Sequence, residues 1–268
     1  MASFRGASAD AVAALTEQVD RLDGRSSASI AEDLFALAGA LRAEGSLRRF
    51  ATDNSIPAEA RTGLVGELYA GKVADAALEV VKEAVGRKWT RNRDLADALE
   101  HLGVIAAVRL AGSDSGALVD ELFAVRNLLT EHSELRNALA DPARTTGDKA
   151  ALVDSLLDGK TLPATVTLVK QALSGSYRTV TAALEDYEKT AADAHGQRVA
   201  TVRVARPLGD AEQRRLTQAL SQQYDRPVHL NVAVEPSLIG GIRIEIGDDV
   251  IDGTIASRLA DAQRRLAG

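Results

Sequence analysis

The chain has 268 residues, enough for two or three small domains with sizeable cores, and 38 acidic against 32 basic side chains give a formal charge of −6. The charges are mixed in sign throughout, which excludes the basic stripe that nucleic-acid binding needs, and the absence of cysteine excludes disulfides and thiolate metal sites. Apolar residues make up 46% but aromatics only 3%, which favours packed helices, and no apolar run approaches the ~20 residues of a membrane span.

In chain order, Val12, Leu15, Val19 and Leu22 recur at steps of three and four, predicting a helix over residues 8–22 with one narrow apolar stripe. Asp23-Gly24-Arg25-Ser26-Ser27 reads as its turn. A second helix runs over 29–44 through Ile30, Leu34, Leu37 and Leu41, followed by a short helical piece at 47–50. Pro57 opens a helix carrying Leu64, Val65 and Leu68, which Gly71 closes. Residues 74–86 are apolar on most sides, as in a central helix surrounded by others. A long amphipathic helix follows at 95–110, then a loop over 111–116.

What comes next repeats what came before. Glu121-Leu122-Phe123-Ala124 matches Asp33-Leu34-Phe35-Ala36, and Leu152-Val153…Leu156…Gly159-Lys160 matches Leu64-Val65…Leu68…Gly71-Lys72. Val169-Lys170 matches Val81-Lys82 at the same displacement of 88 residues. A constant displacement across several helices predicts an internal duplication. The helix at 95–110 falls where a counterpart of the first helix belongs, so it can close one bundle and open the next. The expected architecture is mainly α with a small α/β C-terminal domain: a first bundle over 1–111, a second over 112–196, and the last domain over 197–268.

From Val199 the period changes. Val199, Thr201, Val202 and Val204 read as a strand, residues 208–224 as a helix, and 228–234 as the next strand. Ile242, Ile244 and Ile246 alternate in a further strand entered through Gly240-Gly241, where only glycine takes positive φ cheaply. Gly247-Asp248-Asp249 is a turn and Val250-Ile251 a short returning strand, after which Ile255, Leu259, Ala262 and Leu266 space as a terminal helix.

The ordered run Gly240-Gly241…Ile246-Gly247-Asp248…Ile251-Asp252-Gly253-Thr254…Arg258-Leu259, behind a strand–helix–strand unit, resembles the C-terminal domain of the δ subunit of bacterial F-type ATP synthase, counterpart of the mitochondrial oligomycin-sensitivity-conferring protein. The resemblance is strongest over residues 197–268. The doubled helical part is similar to the longer δ subunits of actinobacteria. It implies a non-catalytic stator subunit, peripheral on the cytoplasmic face of the cell membrane. Its helical part would hold the N-terminal helices of the α subunits, and its C-terminal domain the b-type stalk subunit. Neither a cofactor, a metal nor a small-molecule substrate is implied.

Candidate chemistry is weighed on the residues themselves. Gly159-Lys160-Thr161 resembles the end of a phosphate loop, but position 154 is aspartate and the preceding residues read as helix, so a helix C-cap is expected. Asp248, Asp249 and Asp252 lack the spacing of a calcium loop and read as a turn and helix N-cap. His101, His132, His195 and His229 are scattered, and no Gly-x-Ser-x-Gly elbow occurs. Trp89 and Tyr177 are expected to pack at the ends of the central helices. What remains is binding surface: a groove between the first helix and the central one can accept an amphipathic helix. Val12, Leu15, Val19 and Val81, with Val108 and Val169 of the second repeat, are the groove candidates, or else core. On the resemblance, Ile242, Ile244, Ile255 and Leu259 border or underlie the b-subunit contact. A free-standing helical adaptor for another amphipathic helix is the competing reading, and a small nucleotide-dependent activity around Lys160 a third.

Overall fold

The computed structural model describes residues 4–22, 27–174, 176–194, 196–247, 249–255 and 257. Of the turn proposed at 23–27, residues 23–26 lie outside the described residues and Ser27 already belongs to the second helix; His195, Asp248 and, apart from Ile255 and Ser257, the terminal helix also lie outside them.

The chain is mainly helical, with one small sheet near its C-terminal end. Helices α1 (Ala7–Asp20), α2 (Ser27–Ala43), α3 (Gly45–Thr52), α4 (Ala58–Tyr69) and α5 (Asp75–Gly86) lead to α6 (Asp94–Ala111). The proposed loop after α6 is a single 3₁₀ turn, Gly112–Asp114, in which Gly112 takes φ +52° and reverses the chain. Helices α7 (Ser115–Glu131), α8 (Ser133–Ala140), α9 (Thr146–Leu157), α10 (Pro163–Ala172) and α11 (Val180–Ala194) follow. Thr145 and Asp148 cap the start of α9 reciprocally.

Local contacts recur at the displacement seen in the sequence. Asp33 Oδ2 accepts from the Ala74 amide at 2.7 Å, and Glu121 Oε2 from the Leu162 amide at 2.9 Å. Arg48 donates to the carbonyls of Leu41 and Arg42, and Arg136 to those of Leu129 and Thr130. Each arginine thereby ties the end of a long helix to the short helix after it. Helix α2 packs along α6, and α7 along α11.

Helix α6 is the most enclosed element, with thirteen of its 18 residues buried. The sequence pattern marked α5 as the surrounded helix, yet α5 keeps Asp75, Glu79 and Glu83 exposed. The reason is position: α6 packs on α1, α2 and α5 from one side and on α7, α10 and α11 from the other. Leu95, Leu99 and Leu102 have no exposed surface, each such burial contributing about 1.5–3 kcal/mol. Gly103 lets the Phe35 ring lie against the helix backbone; a Cβ there would stand 2.5 Å from Phe35 Cε1. A continuous apolar core thus runs from α1 to α11.

Helix α4 departs from the predicted packing. Val65 is buried, but Leu64 and Leu68 are 37% and 38% exposed, and the buried neighbour is Arg61. Its guanidinium donates to Ala51 O at 3.1 Å and Val85 O at 2.7 Å, near the C-terminal ends of α3 and α5, where a cation complements the helix dipole.

The last unit is β1 (Arg198–Val204), α12 (Asp210–Tyr224), β2 (Val228–Val234), β3 (Ile242–Ile246) and β4 (Asp249–Asp252). The strand order is β2-β1-β3-β4. Strands β1 and β2 are parallel, with Val202 opposite Val232; β3 is antiparallel to both β1 and β4, with Ile244 between Val202 and Ile251. Ala200, Val202, Ile244 and Ile246 form a second apolar core with Leu220 of α12. The opposite face meets the helices through polar groups: Asn231 Nδ2 donates to Glu188 Oε2 at 3.4 Å, and His229 Nε2 lies 2.9 Å from Asp120 Oδ1. Glu188 is also held by Arg126, at 2.9 Å.

His101 on α6 carries a testable consequence. Burial pushes its imidazole below the ordinary value against an opposing pull from Asp186, and the Phe4 ring lies 6.1 Å away. The fold therefore disfavours the protonated ring, and the unfolded chain takes up the proton first as the pH falls past about 6.5. This contribution to stability is complete above that value and is lost as the pH falls through the depressed folded pKa. Thermal unfolding between about pH 7.5 and 5 should show a steeper acid-side loss for the parent chain than for His101→Gln. Equal slopes would assign the loss to other groups.

Candidate functional site

A shallow recess lies between α1, α4 and α5 on the first bundle, and the residues that the sequence offered as groove lining or core are absent from its wall. Val12, Leu15, Val19 and Val81 are all buried. The wall of the recess is polar: Gln18 on α1, Thr62 on α4, and Glu79, Lys82, Glu83 and Arg87 on and after α5. Lys82 pairs with Glu79 at 2.9 Å and Arg87 with Glu83 at 2.5 Å. An apolar stripe at helical spacing seeks the core first, so the periodicity located buried residues and was silent on the polar recess.

In the second bundle α6 and α10 occupy the places of α1 and α5, and Val108 and Val169 are again buried. There α2 packs along α6 and touches α10. On the first bundle the recess between α1, α4 and α5 keeps Glu79 and Glu83 exposed.

At the C-terminal unit Ile244 is buried, Ile242 half-buried and Ile255 42% exposed, while Leu259 lies outside the described residues. The more exposed apolar residues were missed: Ile239 at 78% and Val250 at 55%. They sit in the Pro-Ser-Leu-Ile turn and on the four-residue edge strand, where no periodicity is long enough to betray a surface. Ile239 adjoins Ile255, because the Ile255 amide donates to Gly240 O at 3.0 Å. Ile251 stands opposite Ile244 and extends the same sheet face outward.

The chemical candidates resolve into structural roles. Gly159 has φ +69° after the end of α9, and Lys160 Nζ donates to Leu156 O at 2.9 Å, making the Gly-Lys-Thr segment a helix C-terminus. Asp252 Oδ1 accepts from the amide and hydroxyl of Thr254, which hold its carboxyl below the usual range, while Thr254 Oγ1 accepts from the Ser257 amide. The cap toward Ser257 is therefore Thr254, with Asp252 orienting it. Trp89 is buried, its indole donating to Ala84 O near the end of α5. Among the described residues no group of three His, Asp or Glu side chains could hold a metal ion.

A polar cavity of about 480 Å³ lies between α6 and α11, with Asp97, Glu100, Tyr177 and Asp186 in its wall. Its carboxylates hold helices together. Glu100 Oε2 accepts from Arg42 at 2.5 Å, while Oε1 accepts from Gln171 (2.9 Å), Ser176 (2.7 Å) and Tyr187 (2.6 Å). Burial and the neighbouring Glu100 carboxylate keep the Tyr187 phenol protonated and donating. Tyr177 stacks edge-on against Tyr187 and donates to Asp186. One carboxylate thus joins α2 and α6 to α10 and α11.

Among the described residues no single helix is long and apolar enough to cross a membrane. The profile of the ATP synthase delta (OSCP) subunit family matches residues 105–266, which span the second bundle and the sheet unit. An ATP synthase subunit delta of a Nocardioides species is 56% identical over 271 residues, covering 100% of this chain and 98% of the relative. Those of Thermobifida fusca and Streptomyces coelicolor are each 39% identical, covering 95% and 100% of this chain and 97% and 100% of theirs. The extended helical part is thus shared along the full length of these relatives. With the duplicated helices leading into the sheet, this places the chain in the ATP synthase delta (OSCP) subunit family.

Proposed function

We propose that the chain is the stator joint of a proton-translocating F-type ATP synthase, on the cytoplasmic face of the membrane, tying the α subunits of the catalytic head to the b-type stalk. The end-to-end match to ATP synthase delta subunits carries this reading. The role is non-catalytic: the joint keeps the head from turning with the rotor, so that torque acts on the nucleotide sites. Slow dissociation under load is the physical demand. A nanomolar contact is worth about 12 kcal/mol, and two contacts linked in one chain reinforce each other.

The recess between α1, α4 and α5 favours the first bundle as the end that receives an α-subunit N-terminal helix, since the matching α6–α10 face of the second bundle is met by α2. The exposed Ile239, Val250 and Ile255 favour the sheet unit as the end that receives the b-type subunit. Calorimetric titration with the two partner peptides from the same organism tests both. Both are expected to saturate, with Glu79→Arg/Glu83→Arg weakening only the α peptide and Ile239→Asp/Val250→Asp only the b peptide, each by at least about tenfold, or 1.4 kcal/mol. Failure of both peptides to bind the folded chain would sink the bridge and favour a helical adaptor with another partner.

A further inference from the structure

Among the described residues of the sheet, Val199 packs on the helical core, whereas Ala200, Val202, Val228 and Ile244 belong to the separate core shared with α12. The rest of the seat on α7 and α11 is polar and titratable. Glu188 of α11 and Asn231 of β2 are each 1% exposed. Arg126 of α7 holds both Glu188 oxygens, at 2.9 and 3.2 Å, and Asn231 Nδ2 donates to Oε2 at 3.4 Å. The other amide atom, Asn231 Oδ1, is buried with no hydrogen-bond partner among the described residues. A protonated Glu188 would supply that partner, because half a turn of the amide brings Oδ1 to the carboxyl hydroxyl. Burial already pushes this carboxyl above the ordinary glutamate range, against the pull of Arg126. Two residues earlier on β2, His229 Nε2 lies 2.9 Å from Asp120 Oδ1 of α7. A protonated ring makes that contact charge-assisted, and a neutral one leaves a plain hydrogen bond. Of the neighbouring charges, Glu121 is turned to Leu162 and Thr165, Asp186 accepts from Tyr177, and Glu185 pairs with Lys189 at 2.8 Å. On the sheet Arg203 pairs with Glu245 and Arg198 lies over the Tyr224 ring, while Asp193 shares a recess with Arg198 and Arg226.

We infer that the Glu188–Asn231 and His229–Asp120 contacts form a proton-operated latch, which seats the sheet unit more firmly on α7 and α11 as the pH falls and loosens it as the pH rises. The sign follows from what unseating does. It returns Glu188 and Asn231 to water, where a carboxyl gives up its proton at lower pH. The seated state therefore holds a proton that the unseated state releases, and acid favours seating. His229 acts in the same direction, since only the protonated ring forms a charged pair with Asp120. Histidine ordinarily changes charge near pH 6.5, which brings the latch into the neutral range. His101 works the other way, weakening the helical core in acid, so the latch is read from the distance between the units and not from their unfolding.

The chain has no cysteine, so Ala124→Cys on α7 and Gln218→Cys on α12, both exposed positions, can carry a donor and an acceptor dye. Single-molecule energy transfer on the full chain should show the ratio of seated to unseated molecules rising at least about threefold from about pH 8 to about pH 5.5. Glu188→Gln, whose amide donates to Asn231 Oδ1 at any pH and still accepts from Arg126, should remain seated at the alkaline end. Glu188→Gln/His229→Gln should show no pH dependence. An unchanged ratio in the parent chain, or the parent's dependence retained in the double variant, would overturn the proposal.

Discussion

Glu100→Ala is expected to lower the unfolding free energy by about 3–5 kcal/mol, the range for removing one partner of a buried ion pair. The large value follows from what would be stranded. Arg42, Gln171, Ser176 and Tyr187 all donate to this one carboxylate, and it is only 4% exposed. These donors come from helices α2, α10 and α11 and from the segment between the last two, so the loss falls on the joint between the bundles. Arg42 retains Asp97 at 3.1 Å, which limits the cost at that end. Denaturant unfolding followed by circular dichroism measures the change, and Glu100→Gln, which keeps one acceptor oxygen, should lose less. A change below about 1 kcal/mol for the alanine variant would mean that water replaces the carboxylate and that apolar packing alone joins the bundles.

Gly241→Ala is expected to disrupt the sheet unit while leaving the helices folded. Gly241 has φ +90°, and an added Cβ would stand 2.5 Å from Gly253 O and 2.7 Å from Thr254 Cα. Those obstacles are backbone, so no rotamer change relieves them. An unfavourable φ at about 1–3 kcal/mol and overpacking at about 1–3 kcal/mol together threaten a unit with its own small core. Trp89, the chain's one tryptophan, lies in the first bundle and reports on the helices by its fluorescence. Its thermal transition should be preserved while proteolysis cuts rapidly after residue 196 and binding of the b-type peptide is lost. A variant as protease-resistant as the parent would show that the β3–β4 end can shift to admit the methyl group.

Much of the fold was legible because it is written in period. Steps of three and four marked α1, α2 and α4 to within about two residues. Alternation marked β1 and β3, and Gly240-Gly241 announced the bend before β3. The constant displacement of 88 residues anticipated paired contacts such as Asp33–Ala74 and Glu121–Leu162. Candidate surfaces were far less legible. Val12, Leu15, Val19, Val81, Val108 and Val169 were weighed as groove lining or core, and all six are buried. An apolar stripe says which face of a helix leaves water, not what stands beside it on the rim.

The amino-acid sequence by itself determined the helical character, the doubling of the helical part, the strand–helix–strand ending and the family, because propensity, period and a long ordered motif are local properties of the chain. Only the tertiary structure decided that α6 and not α5 is the enclosed helix, that Arg61 takes a buried place while Leu64 and Leu68 stay partly exposed, and that Glu100 gathers four donors. Each of these depends on which elements meet across long separations. A carboxylate or an arginine reads as surface in sequence until donors or carbonyl groups more than fifty or about twenty residues away are brought to it, and a leucine at helical spacing reads as core until the neighbours that arrive cover only part of it.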